Sequence, residues 1–108
     1  MSPARPRPEP EPPDASWTFL TNHAHVLIAI AADREARIRD LAVAVGITER
    51  AVQRIIRDLA DAGYLELSRE GRRNSYRVRH RLPLRHALER HNKVDAILAL
   101  APLPPREG

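Results

Sequence analysis

The sequence predicts a mainly α-helical fold with one small β-hairpin: a three-helix core, a hairpin and a C-terminal helix. Three observations predict it. Apolar residues recur at helical spacing in three stretches between residues 22 and 62. The period drops to two on either side of a Gly- and Asn-containing segment between residues 64 and 79, and a period near 3.6 returns after Pro83. A chain of 108 residues holds one such domain.

Thr21 or Asn22 can cap a first helix, with Ala24, Leu27, Ile28 and Ala31 at i, i+3, i+4, i+7. Asp33-Arg34-Glu35 forms its exit loop, and Arg37-Ile38 has room only for a bridging strand. A short second helix fits Arg39 to Val45, burying Leu41, Ala42 and Val45 and ending at Gly46. Thr48 caps a third helix striped by Val52, Ile55, Ile56 and Leu59, and Ala62-Gly63 stops it. Alternation in Tyr64–Ser68 and in Ser75–Arg79 gives two strands, with the basic segment Arg69–Asn74 as their turn. On a wheel from Leu84, residues Ala87, Leu88, His91, Val94, Leu98 and Ala101 share one face, although Asn92 with Asp95 could equally start a fresh helix. His91 is then expected to be packed.

Charge is unevenly placed. Lys+Arg number 18 against 14 Asp+Glu, and 17 of the bases are Arg. Residues 16–63 balance at zero, whereas residues 64–93 carry nine bases and three acids, the form an electrostatic footprint takes in sequence. Six of the ten prolines lie in the first thirteen residues, so residues 1–15 read as an extended tail and 102–108 as a second tail. The helical core and hairpin then occupy 16–82, and 83–101 a C-terminal helical segment. Absence of cysteine excludes disulfides and sulfur-based zinc sites, and no apolar run is long enough to span a membrane. A cytoplasmic setting is expected.

The stretch from Ile38 to Arg57 meets the steric demands of a helix-turn-helix. Ala42 is small where the helices cross, and Gly46 tolerates the positive φ of the turn. Leu41, Val45, Ile47, Val52 and Ile55 are apolar where the shared core requires it. That leaves Thr48, Glu49, Arg50, Gln53, Arg54 and Arg57 on the outer face of the third helix. Arg can reach guanine O6/N7, Gln can pair with adenine, and both can bind phosphates. The basic hairpin that follows makes the arrangement a winged helix.

This stretch resembles the winged helix-turn-helix transcriptional regulators of bacteria, in particular small MarR-like and ArsR-like regulators of a short actinobacterial type. The resemblance covers residues 17–100 and is carried mostly by Ile47–Leu59, Ala62–Leu65 and Gly71–Tyr76, with Trp17–His23 resembling the opening of such regulators. It implies double-stranded DNA as partner, with residues 48–62 in the major groove. Thr48, Arg50, Gln53 and Arg54 would then face bases. The wing (Arg69, Arg72, Arg73, Asn74 and Tyr76) would lie against the backbone or the minor groove. A homodimer is expected from the small core and the amphipathic Leu84–Leu100 region, with Leu84, Leu88, Val94, Leu98, Trp17 and Phe19 at the contact. Longer terminal helices usually serve dimerisation and ligand binding in such regulators, so the resemblance leaves any small-molecule effector open.

Two other readings compete. An ArsR-like metal sensor would use histidines, but His23/His25 and His86/His91 are spaced two and five apart, which does not stack both rings on one helical face. A winged helix can also serve as a protein–protein module, against which the dense charge at Arg72-Arg73 counts. No phosphate loop or catalytic set points to an enzyme, and neither a cofactor nor a metal is expected.

Overall fold

A computed structural model of the chain describes residues 17–101; both tails lie outside the described residues, as do the side chains of Glu70 and Arg73. The order is α1 (Asn22–Ala32), α2 (Ile38–Val45), α3 (Glu49–Asp61), β1 (Leu65–Glu70), β2 (Arg73–Val78) and α4 (Val94–Leu98). This is the winged-helix arrangement expected from the sequence: three helices around one core and an antiparallel two-stranded wing.

Helix α3 forms as its sequence dictates. The Thr48 hydroxyl accepts the Ala51 N–H at 3.0 Å, and Val52, Ile55, Ile56 and Leu59 are all buried. Its end is closed by Gly63 N–H to Ala60 O and Tyr64 N–H to Leu59 O, a Schellman pair that turns the chain into β1. In α2, Leu41 and Ala42 are buried, and Gly46 at φ 86° lets its own N–H and that of Ile47 both donate to Ala42 O. The sharp turn this produces lays α3 across α2.

Three expectations about these elements need correction. The buried face of α1 is Val26, Leu27 and Ile30, while Ala24 and Ile28 are half-buried and Ala31 is exposed. Eight of the eleven residues of α1 are apolar, so spacing alone admits two rotations, and packing against α2, α3 and α4 selects between them. Arg37-Ile38 is not a bridging strand: Arg37 caps α2, with its N–H donating to the Asp40 carboxylate at 3.3 Å. The contact between this connection and the wing lies earlier, where Tyr76 N–H donates to Arg34 O at 3.0 Å.

The third correction concerns the C-terminal segment. No helix runs from Leu84; residues 84–92 form a loop, and α4 has only five residues, so of the two starts allowed by the sequence the one near Asn92 is the closer. The wheel was satisfied because it tests angle alone. The backbone instead bonds to partners distant in sequence, Leu84 N–H to Asn92 O and Val94 N–H to Leu82 O, with Pro83 bridging Lys93. Val94 is 1% exposed and completes this chain's own core, with Leu84 and Leu98 packed beside it. It therefore has no surface to offer a partner. His91, expected on a packed face, is exposed.

Candidate nucleic-acid interface

The outer face of α3 follows from the burial of its inner one. With Val52, Ile55, Ile56 and Leu59 turned inward, Arg50, Gln53, Arg54 and Arg57 fall at i, i+3, i+4, i+7 on the far side, and all four are exposed with Thr48 and Glu49. Among the described residues none of the three arginines has a carboxylate partner, whereas Asp58, the next acid on the helix, is turned to α1, 2.9 Å from His23 Nε2. Thr48 has one lone pair committed to its cap, so its hydroxyl proton is what remains for another acceptor.

The wing is longer in strand and shorter in turn than the alternation suggested. Pairing runs from Leu65↔Val78 to Glu70↔Arg73, leaving only Gly71 and Arg72 in the loop. Gly71 at φ 65° supplies the positive φ that a two-residue hairpin with Gly in first place demands. Arg72 therefore stands exposed at the tip, and Arg69 and Asn74 form an exposed cross-strand pair rather than turn residues. The backbone of Arg73 closes the ladder; its side chain lies outside the described residues.

Tyr76 departs from its expected place on the wing surface. It is 3% exposed and belongs to the core, because it shares a face of the hairpin with the neighbouring pair Leu65↔Val78, which packs against the helices. Burial withdraws the ring from stacking on a base and pushes its phenol above the ordinary 10.0, partly offset by a hydrogen bond with Asn74.

Sequence reasoning did not single out one exposed arginine beside the wing. A cleft of about 420 Å³ has Arg37 and Ile38, at the start of α2, on one side and Arg72 and Asn74 of the wing on the other. The only available signal was the position of Arg37 immediately before the first helical residue, which the short-strand reading obscured.

Comparison with known proteins follows the same outline. The sequence model of the MarR family matches residues 18–73, just over half of the chain, from the approach to α1 to the wing. The chain belongs to the MarR family. Among solved structures this MarR-family chain is similar to the PcaV transcriptional regulator from Streptomyces coelicolor, solved in complex with its natural ligand, at 24% identity and a TM-score of 0.48. That likeness covers 56% of this chain and 45% of the other, so the MarR-family chain spans under half the length of that regulator. No curated protein sequence matches it.

Within the MarR-family fold the histidines are spent on local contacts. His25 lies 3.2 Å from the Asn22 side chain, His80 Nδ1 lies 2.9 Å from Asp95, and His86 accepts the Leu88 N–H. Among the described residues no three His, Asp or Glu side chains gather to hold a metal, and no helix is long and apolar enough to cross a membrane.

Proposed function

We propose that this chain is a sequence-specific, double-stranded-DNA-binding transcription regulator acting in the cytoplasm as a homodimer. In this reading α3 enters the major groove and the wing lies on the backbone or in the adjacent minor groove. The observation that carries it is the stripe Arg50, Gln53, Arg54, Arg57, exposed and unpaired among the described residues, on a helix pinned from behind and beside a wing whose tip is Arg72. A rigid helix with free guanidinium and amide groups can make bidentate contacts to base edges, and a tip arginine can hold register on phosphates. Arg37, across the cleft from Arg72, adds a second phosphate contact at the start of α2. The exposed Trp17–Phe19 pair, edge to face at 4.9 Å, supports a dimer contact at the N-terminal side. Selection from random duplex DNA at near-physiological salt tests the reading. A shared motif, with half-sites about 10 base pairs or a multiple apart, is the expected result, and recovery of unrelated sequences would sink it.

A further inference from the structure

The loop between β2 and α4 is a second cationic surface that α3 and the wing tip do not account for. Its neck is closed on several sides: Pro83 bridges Lys93, Leu84 N–H donates to Asn92 O at 3.0 Å, and the Tyr64 hydroxyl donates to Pro83 O at 2.6 Å. Arg85, Leu88 and Arg90 are consequently held out in water. Arg81, Arg85, Arg90 and Lys93 have no carboxylate partner among the described residues, and Glu89 is the single acid between them.

This loop continues the wing. Arg77 and Arg79 both reach Glu66, at 3.6 and 3.2 Å, so they share a face of the hairpin and one carboxylate is divided between two guanidinium groups. The same two arginines and Arg81 line a shallow cleft of about 230 Å³ where β2 leaves the sheet. Positive charge therefore runs from Arg77 near the end of β2 through Arg79 and Arg81 into the loop. A six-residue strand spans about 20 Å, well beyond what a single tip contact needs. Arg rather than Lys supplies nearly all of it, and the planar guanidinium matches phosphate oxygens two at a time. A protein partner would instead have to bury dense like charge at the centre of its interface.

We propose that this track is a phosphate-backbone contact, in which Arg81, Arg85 and Arg90 hold the flank of the duplex on the wing side, beyond the base pairs that α3 reads. The inference rests on the DNA-binding reading above. The test compares the full chain with an Arg85→Ala/Arg90→Ala variant and an Arg85→Lys/Arg90→Lys variant, on the selected site extended by about 10 base pairs on each side (one helical turn). Affinity is followed against salt, with a poly-glutamate peptide as a second probe.

The alanine variant should lower the log–log salt slope by about 1.8, two contacts at about 0.9 each, while the ranking of site variants stays as in the parent chain. The lysine variant should keep most of the slope. An unchanged slope in the alanine variant overturns the proposal. If poly-glutamate binding falls in that variant while the DNA slope holds, the loop is a surface for acidic polypeptides and the proposal is also overturned. Absence of duplex binding by the parent chain would remove the DNA reading itself, and the loop's role with it.

Discussion

Gln53 and Arg54 stand next to one another on the outer face of α3, without a partner among the described residues and beyond the first turn from the Thr48 cap. On the proposed reading, groups in that position would discriminate between bases, whereas Arg72 at the wing tip would meet a backbone that is alike in every sequence. Gln53→Ala or Arg54→Ala should therefore flatten the preference at one base position by about 1–3 kcal/mol, measured by competition between site variants. Tyr76 gives a prediction of a different kind. Its phenol titrates above 10.0 in the folded chain because burial opposes the phenolate. The neutral form is thus favoured by the fold, a stabilisation complete below the unfolded value and lost as pH rises through the folded one. Denaturant midpoints taken from about pH 8 to 11 should fall more steeply in the parent chain than in Tyr76→Phe, which has no phenol to ionise. Equal slopes would mean that the ring is solvated.

Among the elements, α4 illustrates how a short helix can close a core. Val94 is buried in the core from a helix of five residues that packs against α1. Val94→Ala removes two buried methyl groups and should cost about 2 kcal/mol of unfolding free energy, with no change in sedimentation; a loss of self-association instead would return Val94 to an interface. Helix α3 and the hairpin were legible in the sequence because each has one clean period and a stop: Thr48 and Gly63 bracket the first, and Gly71 divides the second. The outer stripe of α3 came with them, since a buried face defines its opposite. The face of α1 was hidden by an excess of apolar residues. The loop 84–92 was hidden because it is closed at its neck by Leu84 to Asn92, Pro83 to Lys93 and Tyr64, and Val94 to Leu82, which no local pattern reports. Tyr76 was misplaced for a related reason. Alternation locates two faces of a strand without saying which one meets the helices, and the cross-strand register settles that.

For the whole molecule, the contacts that hold one chain together and those available to a second chain are now separable. Val94, Leu84 and Leu98 belong to the former, while Trp17 at 66%, Phe19 at 91% and Leu88 at 80% exposure remain for the latter. A Trp17→Ala/Phe19→Ala variant should fold with nearly unchanged stability yet sediment as a monomer at micromolar concentration, where the proposal expects the parent chain to be a dimer; a monomeric parent would end the dimer reading. The two-residue tip of the wing has one more consequence. Insertion of a single residue into one strand would exchange inner and outer faces beyond it and expel Tyr76 from the core. One extra residue in each strand at the tip spares the core but turns Arg72 to the opposite side. Two per strand restore its direction about 6.6 Å further out, close to the rise of two base pairs at about 3.4 Å each. Wing length in this fold is thus quantised, and the reach of its tip in an unchanged direction can be retuned only in steps of about 6.6 Å.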